Sequence, residues 1–304
     1  MQIPRRSVLA GLGATALTPA IGIAPAVAQI TLGSAQITSV SDGNLVLPGD
    51  FAFGGLPEDE LAKILNDHGL QRDVLKPPCN VTLMQDGPRT ILFDAGSGTT
   101  FMDSAGLLID TLDQLGLAPE DITDVIFTHA HPDHLWGVLD DFDDPLFTEA
   151  NYMIGQTEWD YWRDPETVNT IGQARTAFAV GAARRLDAIA DRMSFITDGQ
   201  EVLPGVLAHA SFGHTPGHMS FEIRKGTEAV LVVGDAIGNG HVAFARPDWP
   251  SGSDQDTETG IATRQRLLDM LATDQMQIVG FHLPDGGVGR VARKDDTYRF
   301  VQED

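Results

Sequence analysis

A single seven-residue motif constrains this chain more than any other feature. In Thr128-His129-Ala130-His131-Pro132-Asp133-His134, three imidazoles and one carboxylate lie close together. The motif follows an apolar run, 124–127, that predicts a buried strand. Imidazole nitrogen and carboxylate oxygen are both zinc ligands. Residues one or two apart cannot all face one side of a helix, whereas a loop that leaves a strand can turn them inward. The motif therefore predicts a metal site at the end of a strand.

Further metal donors follow three later predicted strands. His214 comes after the strand 206–211, Asp235 after the strand 229–233 and His282 after the strand 277–281. Each signal is weak alone, because an Asp after a strand is commonly a turn residue and a His beside a proline commonly lies at the surface. Their shared position at strand ends favours one site built from several loops. Since one zinc takes three or four protein ligands, this many donors predicts two ions.

The rest of the pattern predicts two blocks of strands, each followed by helix. Apolar and β-branched runs predict strands at 36–40, 81–85, 90–93, 124–128, 206–211, 219–223, 229–233, 277–281 and 289–292. Helical spacing, acidic starts and glycine ends predict helices at 57–69, 103–116, 156–192 and 258–273. This order predicts an α/β fold in which two β-sheets pack face to face with helices outside.

Charge and the N-terminal segment restrict the partners and the compartment. With 20 Lys+Arg against 43 Asp+Glu, the formal net charge is −23, so we expect no nucleic acid partner and no binding to anionic membranes. Arg5-Arg6 precedes the apolar run 7–27, and Ala26-Val27-Ala28 is typical of a cleavage site. We interpret residues 1–28 as a twin-arginine signal peptide and 29–304 as one domain. Export to the periplasm or the medium without stable membrane insertion is expected; an uncleaved anchor is the alternative.

Cys79 is the single cysteine of the chain, so an intrachain disulfide is excluded even for an exported protein. Because it follows Pro77-Pro78 without a recognisable partner, we interpret it as a small buried residue rather than a nucleophile. Stability is then expected to come from the core and from bound metal.

Together these motifs resemble the metallo-β-lactamase fold superfamily. The resemblance runs from about Ile37 to the C-terminus and includes Phe93-Asp94-Ala95-Gly96, which is similar to the family's first motif. It implies a four-layer αββα sandwich with a dinuclear metal site at the sheet edge. The family pattern implies these residue roles: His129, His131 and His214 hold one zinc, Asp133, His134 and His282 hold the other, Asp235 bridges both, and Asp94 and His218 support the ligands without binding metal. Manganese, cobalt or iron would fit the same donors.

The C-terminal half is similar to the branch that contains methyl parathion hydrolase and secreted N-acyl-homoserine lactonases. The similarity lies in residues 234–237, 241–247, 280–284 and 287–289. It implies hydrolysis by a metal-bridging hydroxide, with Asp133 and Asp235 as catalytic carboxylates and Asp133 relaying a proton. Many cytoplasmic lactonases of this type carry a Tyr three residues after the bridging Asp, whereas this chain has Gly238. Zinc alone or His241 would then polarise the substrate carbonyl.

We therefore expect a zinc hydrolase that opens lactone rings, with N-acyl-homoserine lactones (quorum-quenching substrates) placed first. A hydrolase of organophosphate triesters or aryl esters is the second interpretation, and a β-lactamase or a metal-binding protein without turnover are the others. A β-lactamase is disfavoured because no Cys occupies the Asp235 position. The substrate pocket is expected to include Phe51, Phe53, Trp136, Trp159 and His241, with ordinary core packing as the alternative for each. A homodimer stays open.

Overall fold

The computed structural model of this protein describes residues 28–302. The predicted signal peptide therefore lies outside the described residues, apart from Ala28. Among residues 28–302, no helix is long and apolar enough to cross a membrane.

The predicted strands are present in the predicted order, and the structure adds strands that the sequence pattern does not predict. The strands are β1 (Gln29–Leu32), β2 (Ala35–Asn44), β3 (Leu47–Pro48), β4 (Val74–Leu75), β5 (Pro78–Asp86), β6 (Arg89–Phe93), β7 (Asp124–Ile126), β8 (Asn151–Gly155), β9 (Met193–Ile196), β10 (Glu201–Leu203), β11 (Val206–Ala210), β12 (Met219–Lys225), β13 (Glu228–Gly234), β14 (Gln277–Gly280), β15 (Val288–Lys294) and β16 (Thr297–Gln302). The added strands are β1, β3, β4, β8, β9, β10 and β16. The helices are α1 (Gly49–Phe53), α2 (Glu58–Asp67), α3 (Leu108–Gln114), α4 (Pro132–Leu135), α5 (Gln156–Arg163), α6 (Thr167–Thr170), α7 (Thr176–Ala188), α8 (Val242–Ala245) and α9 (Thr257–Asp274).

Two sheets bring the ends of distant strands together. The first has the strand order β1-β2-β5-β6-β7-β8-β9, and the second runs from β10 to β16 in sequence order. In the first sheet β6, β7, β8 and β9 are parallel neighbours, and in the second β13 and β14 are parallel. Since parallel strands end at the same edge of a sheet, the segments that leave β6 and β7, and those that leave β13 and β14, emerge side by side. These segments carry Asp94, Thr128, Asp235 and His282.

Side chains from both sheets form the core between them. Along β6, Ile91 and Phe93 face this core, whereas Leu92 packs against the helices on the other side of the sheet, as strand alternation requires. Phe93 meets Phe221 of the second sheet with ring centroids 5.6 Å apart. Helices α3, α5 and α7 cover the outer face of the first sheet, and α9 covers that of the second. The predicted four-layer αββα sandwich is confirmed.

Helix α9 agrees closely with the prediction of a helix at 258–273. Its buried positions recur at helical spacing: Gly260, Thr263, Arg264, Leu267, Leu268 and Leu271. The side chain of Asp256 accepts a hydrogen bond from the Thr259 N–H at 3.1 Å and so caps the first turn. This helix packs its apolar stripe on the second sheet, behind the strands that lead to Asp235 and His282.

Two of the predicted helices differ from the structure. The helix predicted at 103–116 begins only at Leu108, because the chain turns at Gly106 (φ 85°), where a Cβ would lie 2.2 Å from the Gly98 carbonyl oxygen. The segment predicted as one helix at 156–192 contains α5, α6 and α7. Pro165 follows the end of α5 and disfavours helical backbone in the residue before it, and Gly172 (φ 93°) separates α6 from α7.

Candidate metal centre

Three imidazoles meet where the loops after β7 and β11 come together. The Nε2 of His129 lies 3.0 Å from the Nδ1 of His131, and that Nδ1 lies 2.8 Å from the Nε2 of His214. All three side chains are buried, and their ligand atoms lie within 4.8 Å of one another. One nitrogen of His131 cannot satisfy both neighbours by hydrogen bonding alone, whereas a metal ion among the three nitrogens would accept a lone pair from each.

A one-turn helix divides the His-rich motif into two ligand sets. Pro132 opens α4 at its first position, where a missing N–H costs no helical hydrogen bond. His131, directly before it, still has extended backbone (φ −67°, ψ 159°). The side chains of His129 and His131 therefore come before the helix and belong to the first ligand set. Those of Asp133 and His134 project from the helical turn itself and belong to the second ligand set.

The second set consists of Asp133, His134, Asp235 and His282. The Nε2 of His282 lies 3.2 Å from Asp133 Oδ2 and 3.3 Å from Asp235 Oδ2. The Nε2 of His134 lies 3.3 Å from Asp235 Oδ1, and the Nε2 of His214 lies 3.3 Å from Asp235 Oδ2. Asp235 thus contacts imidazoles of both sets. This is the position expected of a carboxylate that both sets share.

Buried ligand atoms that face one another without forming hydrogen bonds indicate that cations belong in these clusters. Within residues 28–302, Asp133 Oδ2, His134 Nε2 and Asp235 Oδ1 are buried and make no hydrogen bond. Buried polar atoms without partners are strongly destabilising, so native proteins rarely contain them. The two adjoining groups each offer three or more imidazole nitrogens and carboxylate oxygens. Zinc, manganese, cobalt and iron all bind such ligands. The residues present therefore fit a dinuclear metal site.

Burial and charge act differently on the imidazoles of the two sets. Burial holds the pKa of His129 and His131 well below its ordinary value, so both are neutral, the form that binds metal. Burial also lowers the pKa of His134, but the carboxylates of Asp235 and Asp133 outweigh it and raise that pKa to about 10. A similar balance raises the pKa of His282 well above its ordinary value. In the metal-free protein, protons on His134 and His282 balance the carboxylates.

Metal binding is therefore expected to release about two protons per chain near neutral pH, because His134 and His282 must lose theirs to become ligands. Protons compete with metal as long as the pH lies below the raised pKa values, so the apparent metal affinity should increase from pH 6 to pH 9. Calorimetric titration of the metal-free protein in buffers of different ionisation enthalpy measures the release. Binding without proton release would contradict the assignment of these two ligands.

Asp94 supports the first part of the His-rich motif. Its Oδ1 accepts from the Thr128 N–H at 2.7 Å, and its Oδ2 accepts from the Thr128 hydroxyl at 2.8 Å and lies 2.8 Å from His134 Nδ1. Because the Thr128 hydroxyl donates to Asp94, it accepts from His129 Nδ1 at 3.0 Å, which leaves His129 Nε2 free to bind metal. Asp94 thus lies where the resemblance implies, behind the ligands.

His218 supports Asp235 in a similar way. Its Nε2 accepts from the Asp235 backbone N–H at 2.9 Å, so Nδ1 carries the proton and lies 2.8 Å from the Ser211 hydroxyl. A Cβ at Gly234 (φ 55°) would lie 2.6 Å from His218 Nε2, so only glycine fits before Asp235. Both nitrogens of His218 are engaged with protein groups, consistent with a supporting role.

Glu158 of α5 connects the two histidine loops, and the sequence analysis does not single it out. Its Oε1 accepts from the Ala130 N–H at 2.9 Å and from Trp162 Nε1, and its Oε2 accepts from the Thr215 hydroxyl at 2.7 Å and the Gly217 N–H at 3.0 Å. Ala130 lies between two ligands and Thr215 follows a third. One fully buried carboxylate therefore fixes the spacing of the three imidazoles in the first set.

Replacing Glu158 by Gln is expected to lower the free energy of unfolding by about 2–3 kcal/mol, because the amide NH₂ would face donors that need an acceptor. Metal affinity should fall about 10- to 100-fold, since the loops that carry the ligands lose their shared anchor. Chemical denaturation and a chelator competition measure the two effects. Glu149→Gln, at an exposed position, is the matched control. An E158Q protein within about 0.5 kcal/mol of the parent would contradict the anchoring role.

Asp254, Gln255 and Cys79 also reach the ligands without having been predicted to do so. Asp254 Oδ1 lies 3.4 Å from His214 Nδ1, and Gln255 Nε2 lies 3.2 Å from His131 Nε2. Cys79 is fully buried, as its interpretation from the sequence requires. Its Sγ lies within 4.8 Å of ligand atoms of Asp133 and His282, so it packs directly beside the second ligand set.

A cavity of about 110 Å³ opens onto both ligand sets. Its lining includes the ligands His131, Asp133, His214, Asp235 and His282. Its other walls are largely apolar and include Leu45, Leu47, Phe51, Leu75, Phe101 and Phe178. Of the predicted pocket residues, Phe51 lies here. Gly238 also lies on the wall and offers no side chain at the position where many lactonases have Tyr.

The two tryptophans predicted for the pocket lie elsewhere. Trp136 fills the space beside Gly181 of α7, where a Cβ would lie 2.5 Å from its Cζ2, and Phe101 lies between it and the cavity, with ring centroids 5.4 Å apart. Trp159 packs on Phe195 of β9 with ring centroids 5.0 Å apart. Both rings are used to dock helices onto the first sheet, so neither lines the cavity.

Phe53 and His241 also lie outside the lining of this cavity. Both are buried, and their ring centroids lie 6.1 Å apart in the packing around α2 and α8. Burial lowers the pKa of His241 to about 3, so it is neutral. Facing Phe53 and His68 rather than the ligands, His241 is not placed to polarise a carbonyl bound in the cavity.

Comparison with known proteins agrees with this geometry. Residues 75–279 match the family described as the Metallo-beta-lactamase superfamily. The fold is similar to that of AidC, a dizinc quorum-quenching lactonase solved with a product, N-hexanoyl-L-homoserine; the TM-score is 0.86, with 25% identity, 91% of this chain and 97% of that chain covered. It is also similar to the hydrolase AbOPH of the beta lactamase superfamily, with a TM-score of 0.84, 26% identity, and 91% and 97% covered. The uncharacterized protein YobT of Bacillus subtilis (strain 168) is 27% identical over 200 residues, 63% of this chain and 78% of that protein.

Proposed function

The chain belongs to the metallo-beta-lactamase superfamily and is a metal-dependent hydrolase, and on this premise we propose that it opens lactone rings, with N-acyl-homoserine lactones as its substrates. The observation that carries the proposal is the apolar cavity that ends on two adjoining ligand sets. An acyl chain fits such walls, and the lactone carbonyl would lie at the ligands. The likeness to a dizinc lactonase over nine-tenths of the chain supports it.

His129, His131 and His214 would hold one ion, Asp133, His134 and His282 the other, and Asp235 would lie between them. We propose zinc for both. When bound, two such ions supply hydroxide at neutral pH and polarise the oxygen of a carbonyl group. The protein contributes the spacing of the two sets, through Asp94 and Glu158, and the largely apolar walls of the cavity beside them.

Asp133 is the residue placed to move a proton. It lines the cavity, and its Oδ2 makes no hydrogen bond within the described chain. The carboxylate can take the proton of the hydroxide as the hydroxide oxygen bonds to the lactone carbonyl carbon, and can return that proton to the ring oxygen as the C–O bond breaks. The products are the carboxylate and the free hydroxyl of the ring-opened acid.

A hydrolase of phosphotriesters or aryl esters is the second candidate, because the aromatic side chains on the walls would also hold an aryl leaving group. These rings are Phe51, Phe101 and Phe178.

Export by the twin-arginine route belongs to the proposal as well. Fractionation of cells that express the full chain, with N-terminal sequencing of the product, tests export; a full-length cytoplasmic product would contradict it.

Parallel assays decide between the two substrates. We expect the zinc-loaded protein to hydrolyse N-decanoyl-homoserine lactone with a kcat/KM of about 10⁴ M⁻¹s⁻¹ or more and methyl parathion at least about 100-fold less efficiently. Ring opening is followed by the acid released at constant pH. Efficient hydrolysis of methyl parathion with negligible lactone hydrolysis would overturn the proposed substrate and favour the second candidate.

A further inference from the structure

The cavity at the metal ligands contains one cationic side chain that the proposed chemistry does not use. Among the described residues that line it, Arg175 is the only Arg or Lys. It lies directly before α7, whose Phe178 forms part of the apolar wall. The first turn of α7 therefore places a positive charge and an aromatic ring side by side on one wall, and the positive end of the helix dipole is at the same place.

Arg175 is held from one side only. Its Nη2 donates to the carbonyl oxygens of Gly252 and Ser253, both at 2.9 Å. Its Nε and Nη1 make no hydrogen bond to any residue from 28 to 302, and no carboxylate in that range lies within 4 Å of the guanidinium. The side chain is half-buried. Two backbone carbonyls thus fix its plane, while N–H groups stay available to a bound molecule.

An N–H donor on a largely apolar wall selects for an oxygen acceptor. Unpaired donors are unfavourable there, and a ligand with a carbonyl at that place gains a charge-assisted hydrogen bond. Arg175 and His131 line the same cavity, and Phe178, one turn further along α7, has its ring centroid 6.1 Å from that of His131, so the acceptor would lie near the reacting group. The apolar side chains Leu47, Phe51 and Phe101 can then pack against the apolar part of the bound molecule.

We propose that Arg175 binds the amide carbonyl oxygen of an N-acyl-homoserine lactone and so selects acylated lactones over lactones that carry only an alkyl chain. In such a substrate the amide carbonyl separates the lactone ring from the acyl chain, and the ligands, Arg175 and the apolar side chains all line the same cavity. Gly238 provides no side-chain donor in this cavity, and the Ser251 and Ser253 hydroxyls lie 2.9 Å from each other, so the guanidinium is the charged donor that the wall offers. The inference rests on the proposed function, because it requires a lactone at the ligands.

Two substrates and one variant test the proposal. N-decanoyl-homoserine lactone and γ-decalactone both offer a five-membered lactone and an alkyl chain, but only the first has the amide. In zinc-loaded Arg175→Met we expect the KM for the acylated lactone to rise about 10- to 100-fold with kcat changed less than about 3-fold. The kcat/KM for γ-decalactone should stay within about 2-fold. Arg175→Lys, which keeps the charge without the fork, should recover part of the loss.

The controls separate binding from structure. Arg184→Met, at an exposed position of α7, should leave both substrates unaffected. Thermal unfolding and metal content of each variant report whether the Gly252–Ser253 segment and the ligands stay in place. Equal losses on both lactones, or no loss on either, would overturn the role of Arg175 while the proposed function stands. If the unmutated protein does not open N-decanoyl-homoserine lactone, the proposed function fails, and the role of Arg175 fails with it.

Discussion

Replacing Asp133 by Asn is expected to lower kcat for lactone hydrolysis by about 10²- to 10⁴-fold while the chain stays folded. Asp133 lines the cavity, and its Oδ2 lies 3.2 Å from His282 Nε2 without forming a hydrogen bond to any of residues 28–302. An amide of the same shape can neither take up a proton nor carry the negative charge that a metal ligand supplies here. The loss should therefore appear in turnover far more than in stability.

The measurement is steady-state kinetics of zinc-loaded D133N beside chemical denaturation. Asp113→Asn, the same change at an exposed position of α3, is the matched control and should keep full activity. Turnover of D133N within about 3-fold of the parent would remove Asp133 from the proton transfer. A collapse of stability in D133N alone would show a structural role in its place.

Replacing His131 by Ala is expected to lower the metal content by about one ion per chain and to abolish hydrolysis, because only two imidazoles would remain in the first set. The Nδ1 of His131 lies between His129 Nε2 and His214 Nε2, at 3.0 Å and 2.8 Å, so its removal opens the centre of that set. The second set has its own donors and should keep its ion with reduced affinity, since Asp235 contacts both sets.

Elemental analysis after gel filtration measures the metal content of H131A directly. His209→Ala is the matched control, because His209 of β11 lies outside the ligand sets and pairs with Glu222 at 3.0 Å. It should bind as much metal as the parent. Full metal retention by H131A would sink the assignment of the first set.

The ligand sets could be predicted from the sequence because the ligands lie in segments that follow strands, Asp235 immediately after one and the others within a few residues. A run of apolar residues marks the strand, and the next polar donor marks the site edge, as for Asp235 after β13 and His282 after β14. Two parallel pairs of strands then bring these ends together. The motif at 128–134 also places three imidazoles and one carboxylate within seven residues.

The residues that hold the ligand loops carried no such signal. Glu158 is a single acid on a helix of mixed composition, and nothing in its spacing shows that its four hydrogen bonds span the loops around Ala130 and Thr215. Asp254 reaches His214 only because the segment before α9 folds back over the site. Such contacts arise from tertiary packing and leave no local pattern.

The pocket residues were predicted on a different basis, as aromatic side chains in a loop, on a helix or, for Trp136, close in sequence to a ligand, and this basis proved weak. Trp136 is two residues from His134, yet the turn after α4 directs its ring to Gly181 of α7. The cavity wall comes instead from segments far apart in the chain, such as Leu47, Phe101 and Phe178. Phe51 is the predicted pocket residue that lies on this wall.

The dinuclear site is tested by the metal stoichiometry of purified, active protein. We expect about two transition-metal ions per chain, hydrolysis that disappears when a chelator removes them, and recovery when about two equivalents of zinc are returned. A chain that hydrolyses lactones at full rate with no bound metal would rule out a metal-dependent hydrolase.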